Sequence, residues 1–305
     1  MNNPDQTLSN GSQVKMHEGE IPIDAALVKR LLTEQFPTLA QLPITLIRST
    51  GTVNAIFRLG EEFCVRLPRS AAWAGSIDHE WIWLPKLAPH LSLRIPKPFA
   101  KGDPVSWYPC PWAVYHWIPG STYHDSLLID ERQAVNDLVH FILELRKIEI
   151  PGAPLGGRPP LTELATETFD AIESSRGVID REAATAAWAR SLASAPWDGN
   201  PVWIHGDLLV SNLLVQNGRL CAVIDFGGAG IGDPAADVVP AWSVFSSVGR
   251  GIFRESLEVD DQTWTRARGY ALHQALMIIP YYPETNPEFV RMAKRTVSEV
   301  LGDFQ

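Results

Sequence analysis

Cysteine is scarce in this sequence. The three residues present in 305, Cys64, Cys110 and Cys221, are an odd number with no Cys-x-x-Cys spacing. That argues against a zinc site or a disulfide framework and reads them as buried thiols. No apolar run approaches the roughly 18 residues that cross a bilayer. The polar first 20 residues lack the apolar stretch of a secretory signal. Both absences set the expectation of a cytoplasmic chain with no membrane partner. Positive charge is short as well: 26 Lys and Arg against 35 Asp and Glu leave a formal net charge of -9. Such a balance disfavours nucleic acid and anionic lipid as partners, and suits a cationic ligand if the acids converge on one cleft. There is no internal repeat or low-complexity tract, which sets aside solenoids and arrays.

Hydrophobic residues make up 45% and charged residues 20% of the chain, the usage of a folded globular protein long enough for about two domains. Eleven tryptophans are numerous enough to line an apolar pocket or to fill a core. Residues 1–20 lack periodicity and are expected to be a disordered tail. From there Leu27, Val28, Leu31, Leu32 and Phe36 follow Asp24 at helical spacing, and Pro37 ends the run. Short apolar strands are predicted over 44–47, 55–59, 63–67, 98–101 and 112–117, with a helix over 76–87 between the third and the fourth. Ile118-Pro119-Gly120 breaks this pattern. It is the candidate boundary between a unit at 21–117 and one at 118–305.

Beyond the break, helical periodicity dominates. Helices are predicted behind Asp130, over 161–174, 181–193, 235–245, 263–279 and 287–301, with a loop at 151–160 rich in Pro and Gly. One hairpin interrupts them, with strands over 213–216 and 219–224 around Asn217-Gly218, a pair suited to a two-residue turn at positive φ.

The chemistry concentrates around that hairpin. His205-Gly206-Asp207-Leu208-Leu209-Val210-Ser211-Asn212 precedes it and Ile224-Asp225-Phe226-Gly227 follows. A carboxylate such as Asp207 can take the proton of an attacking hydroxyl. The Asn212 amide oxygen and the Asp225 carboxylate are hard ligands for Mg²⁺, which would hold nucleotide phosphates. The hairpin folds the chain back and brings residues 13 apart to one end of a ribbon. Nothing in this chemistry needs an imidazole, so His205 reads as support for the loop.

These motifs, together with Gly232-Asp233-Pro234-Ala235-Ala236-Asp237, resemble the aminoglycoside phosphotransferase family, whose fold is shared with choline kinases and, more distantly, protein kinases. The resemblance covers the chain after residue 20, by pattern and order only in the first half. It implies an α+β, protein-kinase-like fold of two lobes: a five-stranded antiparallel sheet with a helix, then a larger helical lobe. It implies that Asp207 is the catalytic base and that Asn212 and Asp225 hold Mg²⁺ against the phosphates of ATP or GTP. Arg66 stands where the family often has lysine to contact phosphate, and a planar guanidinium is not equivalent to an ammonium. Glu80 is the expected partner of Arg66, with Asp78 as competitor. The loop 49–54, with Thr52 and Asn54, is expected over the phosphates, although it carries a single glycine. Backbone groups at His116 and Ile118 are expected to read the purine edge.

Asp233 should cap a helix ahead of Pro234, and Asp237, by resemblance, should brace the catalytic loop. Asp260, Asp261 and Glu284 are the acidic candidates for an acceptor such as an aminoglycoside. Aromatic residues in the same half, Trp242, Phe245 and Tyr270 among them, would instead suit a macrolide. A kinase of a small metabolite (choline- or homoserine-like) and a nucleotide-binding pseudoenzyme, the latter prompted by Arg66, are the alternatives.

Overall fold

A computed structural model describes residues 19–47, 51 and 53–304. Most of the expected tail therefore lies outside the described residues, but Glu20 is already buried and pairs with Arg69 at 3.8 Å. The first helix, α1 (Ala25–Gln35), is capped by Asp24, whose carboxylate accepts from the Leu27 N–H. Strands β1 (Ile44–Ile47), β2 (Asn54–Leu59) and β3 (Phe63–Pro68) follow, then α2 (Gly75–Leu87), β4 (Pro98–Gly102) and β5 (Trp112–His116). They form one antiparallel sheet in the order β1-β2-β3-β5-β4. Alternation along the strands decides what each face does. Val65, Leu67, Trp112 and Val114 join α1 in one apolar cluster. Ala113 and Tyr115, from the other face, join α2 and the later helices in a second.

After β5 come β6 (Ser121–Thr122), α3 (Glu131–Arg146), α4 (Ala165–Ser174), α5 (Arg181–Leu192) and β7 (Val202–Ile204). The hairpin strands β8 (Leu213–Gln216) and β9 (Arg219–Val223) are joined by Asn217 at φ 53° and Gly218 at φ 77°, the positive pair a two-residue turn requires. Strand β10 (Gly230–Gly232) pairs with β7, and β6 pairs with β8. These short strands escape sequence reading because two or three residues carry no periodicity.

The helix predicted over 235–245 is broken. Pro234–Val238 form a 3₁₀ turn and α6 spans only Pro240–Ser243, since Pro240 has no N–H to continue the ladder. Helix α7 (Ser247–Ser256) was not predicted, because Gly249 and Gly251 weaken its helical signal. Helices α8 (Asp261–Ile278) and α9 (Pro287–Gly302) complete the chain. Four tryptophans, Trp112, Trp188, Trp203 and Trp242, are among the largest fully buried side chains. Tryptophan thus serves chiefly the core.

Where α8 meets α4, the buried His273 shares a 2.9 Å hydrogen bond with the Thr168 hydroxyl. Burial, with the Arg158 guanidinium nearby, lowers its pKa to about 4. The unfolded chain takes up this proton near pH 6.5 and the folded chain only near 4, so stability is full above pH 6.5 and falls as pH drops through this window. Urea unfolding at pH 7.5 and 5 should show about 2 kcal/mol of loss from this residue, absent in His273→Gln. An equal loss in both proteins would place the acid sensitivity elsewhere.

Candidate active site

Gly206 lets the chain turn into the loop that carries Asp207 and Asn212. Its φ is 78°, and a Cβ there would come within 2.7 Å of the Gly157 Cα. Asp237, fully buried, accepts from the His205 N–H at 2.9 Å and the Gly206 N–H at 2.7 Å. The expected brace is a pair of backbone hydrogen bonds. His205 donates from Nε2 to the Ile224 carbonyl at 3.1 Å and accepts the Asp207 N–H at Nδ1. Both ring nitrogens are thereby engaged in holding the loop against the hairpin.

The hairpin brings Asn212 to Asp225. The Ile224 N–H donates to the Asn212 carbonyl at 2.9 Å, and Asp225 follows at φ 68°, a left-handed conformation that Asp tolerates better than most residues. The Asn212 amide nitrogen donates to the Asp207 carbonyl at 2.8 Å and to Asp207 Oδ2 at 2.9 Å, which turns Asn212 Oδ1 away from Asp207. Among the described residues no group of three or more His, Cys, Asp or Glu side chains could hold a metal alone. Asn212 and Asp225 nonetheless offer oxygen donors of the type that fits Mg²⁺, which takes few protein ligands and completes its shell with phosphate and water.

On the opposite wall, Arg66 donates to Glu80 Oε1 and to Asp225 Oδ1, each at 2.6 Å. Glu80 is fully buried and also accepts from the Tyr115 hydroxyl at 2.7 Å and the Phe226 N–H at 2.9 Å. The competitor Asp78 pairs with Lys101 instead. Burial alone would push the Asp225 carboxyl up; the Arg66 guanidinium outweighs it and holds the group below the ordinary carboxylate range. Asn54, with its amide oxygen turned to Arg66, accepts from Nε at 3.0 Å and Nη2 at 2.8 Å. It holds the guanidinium as well as lining the cleft. Cys64 also lines the cleft, and burial pushes its thiol up to about 12. Cys110 is buried, whereas Cys64, which opens onto the cleft, and Cys221 are only partly so.

Asp207, Asn212, Asp225, Arg66, Asn54, His116 and Ile118 border a single cavity of about 480 Å³. The His116 N–H donates to the Lys97 carbonyl at 2.9 Å and is therefore already engaged. Thr52, with Ser49 and Thr50, lies outside the described residues. The three acidic acceptor candidates do not line the cavity. Asp260 caps α8, with its oxygens taken by the Gln262 and Thr263 N–H groups and the Thr263 hydroxyl. Asp261 pairs with Arg254, and Glu284 lies exposed before α9. Asp233 caps the turn at Pro234 as expected and also pairs with Arg266 at 2.7 Å.

Two contacts of Asp207 escaped sequence reading. Arg158 Nη2 lies 3.4 Å from Oδ1, and Gln274 Nε2 donates to the same oxygen. Gln274 had a faint signal as a polar residue among Ala271, Leu272, Ala275 and Leu276. Arg158, in a Pro/Gly-rich loop, had none.

The profile of the phosphotransferase enzyme family (APH) matches residues 45–270, well over half of the chain. The chain belongs to this family. Within the phosphotransferase family, an aminoglycoside 3'-phosphotransferase of Escherichia coli is 28% identical over 184 residues, 56% of this chain and 65% of that protein's length. The GDP complex of aminoglycoside 2'-phosphotransferase-IIIa is similar in structure, with TM-score 0.73, 16% identity and coverage of 93% of this chain and 100% of that one. A macrolide 2'-phosphotransferase type I is similar at TM-score 0.57 and 21% identity, over 89% of this chain and 97% of that one. These structural likenesses show the shared kinase-like fold. No helix among the described residues is long and apolar enough to cross a membrane.

Proposed function

We propose that this phosphotransferase moves the γ-phosphoryl group of ATP or GTP to a hydroxyl of a small molecule, an antibiotic of the aminoglycoside kind. Residues 21–117 form the nucleotide-binding lobe in this reading, and residues 118–305 the catalytic and acceptor-binding lobe. A cytoplasmic setting, where ATP and GTP are at hand, goes with it. The observation that carries the proposal is the convergence of Asp207, Asn212, Asp225 and Arg66 on one cavity. The names of the similar aminoglycoside phosphotransferases support the acceptor class.

Each residue has a role set by its contacts. Asp207 accepts the proton of the acceptor hydroxyl as that oxygen attacks. Asn212 Oδ1 and the Asp225 carboxylate would hold Mg²⁺, which would supply the positive charge that offsets the charge of the phosphates. Arg66, steered by Glu80 and Asn54, faces the same phosphates. A macrolide acceptor is the second reading. It is favoured by the apolar side chains of Leu209, Leu214 and Phe289 on the cavity wall, from which Asp260, Asp261 and Glu284 are absent.

ADP or GDP release by the purified protein, followed with Mg²⁺ or with EDTA against aminoglycosides, macrolides and small hydroxylated metabolites, tests the proposal. Release should rise at least about tenfold with one acceptor and vanish with EDTA, given the part metal and positioning play in phosphoryl transfer. Nucleotide binding without turnover on any acceptor would point instead to a pseudoenzyme.

A further inference from the structure

Both oxygens of the Asp207 carboxylate, whose side chain is 41% exposed, accept hydrogen bonds: Asn212 donates to Oδ2, while Gln274 and Arg158 donate to Oδ1. Gln274 belongs to α8, is 7% exposed and lines the cavity beside Leu209 and Phe289. The same three residues border a narrow apolar crevice between α8 and α9, so the amide is held in a largely apolar wall. An incoming O–H must share or displace the Gln274 hydrogen bond before it can donate to Oδ1.

We propose that Gln274 is a positioning residue that caps the base and so selects a bound acceptor hydroxyl over water. The proposal rests on the kinase reading. A hydroxyl on a large acceptor competes for Oδ1 with the help of every other contact that molecule makes, whereas a water has no such help. In transfer, the acceptor oxygen bonds to the γ-phosphorus and the bond from phosphorus to the β–γ bridging oxygen breaks. The nucleoside diphosphate leaves and the hydroxyl proton passes to Asp207. Hydrolysis is the same exchange with water as acceptor and inorganic phosphate as product. The amide cap holds this second reaction down.

The test is Mg²⁺-dependent release of inorganic phosphate from ATP and GTP by the full chain without any acceptor. Gln274→Met keeps the length of the side chain and removes the donor. It should hydrolyse nucleotide about tenfold faster than the unaltered protein, with the nucleotide KM within about twofold, because a freer carboxylate is a better general base. Adding Asp207→Ala should abolish the gain, showing that it runs through the base. Loss of a merely structural contact would lower this rate or leave it unchanged, and either result in folded Gln274→Met overturns the proposal. Should Gln274→Met fail to fold, Gln274→Asn, whose shorter amide cannot reach Oδ1 in the same way, must show the increase instead. If calorimetric titration finds no nucleotide bound by the unaltered protein, the kinase reading itself falls and this proposal with it. Nucleotide binding with no gain in either variant removes the cap alone.

Discussion

Asp207→Ala should lower acceptor-stimulated turnover by about 10² to 10⁴, the usual contribution of a general base, while leaving the nucleotide KM close to that of the unaltered protein. The contacts around the residue explain the split. Asn212 bonds the Asp207 side chain at 2.9 Å, but it also bonds the Asp207 main-chain carbonyl at 2.8 Å. Truncating the side chain therefore leaves one of the two hydrogen bonds made by the Asn212 amide nitrogen. The loop keeps its shape as well, since Asp237 holds it through the N–H groups of His205 and Gly206. Asp207→Asn should be nearly as slow, because an amide cannot take the proton. Steady-state kinetics of diphosphate release decides the matter. Turnover equal to the unaltered protein would remove Asp207 as base, and a matching rise in nucleotide KM would give it a binding role instead.

Arg66→Ala carries the second large effect, on stability and rate together. Arg66 is 8% exposed, and its guanidinium joins the fully buried Glu80 to Asp225 across the cleft. Its removal strands a carboxylate in the interior with only the Tyr115 hydroxyl and the Phe226 N–H as donors. Breaking a buried pair in this way costs about 3–5 kcal/mol, a large share of the roughly 5–15 kcal/mol that keeps a typical protein folded. Urea unfolding should show that loss. The double variant Arg66→Ala, Glu80→Gln should recover about half of it, since the stranded charge is then gone. Turnover should stay low in both, because neither can present a cation to the phosphates. Arg66→Lys should fall between, as a single ammonium does not reproduce the two-armed bridge. An unchanged urea midpoint in Arg66→Ala would show that the pair contributes nothing to stability.

Much of the fold was legible because its elements are long enough to display a period. The alternation of Phe63, Val65 and Leu67 around Arg66 marked both the strand and the face on which the cation lies, and Asn217-Gly218 marked the hairpin that carries Asn212 to Asp225. Where elements are short or interrupted, the reading failed for identifiable reasons. The stretch 235–245 has helical periodicity, but the missing N–H of Pro240 divides it. The strands β6, β7 and β10 have too few residues for any pattern.

The acidic acceptor candidates sit away from the cavity for a different reason. Composition says how many carboxylates the helical half carries and nothing about what engages them. Asp260 is turned to the N-terminus of α8 because the free N–H groups there outcompete solvent for its oxygens. The order of acid, amide and acid around a hairpin was thus determined by the sequence by itself, since those residues are neighbours along the chain or across one two-stranded ribbon. The partners that come from far away were decided only by the tertiary structure. Glu80 and Asp225 close on Arg66 over 14 and 159 positions, and Gln274 reaches Asp207 over 67. Such contacts depend on how whole helices pack against the sheet and the loop, and no local pattern encodes where a side chain will arrive once a core has formed around it.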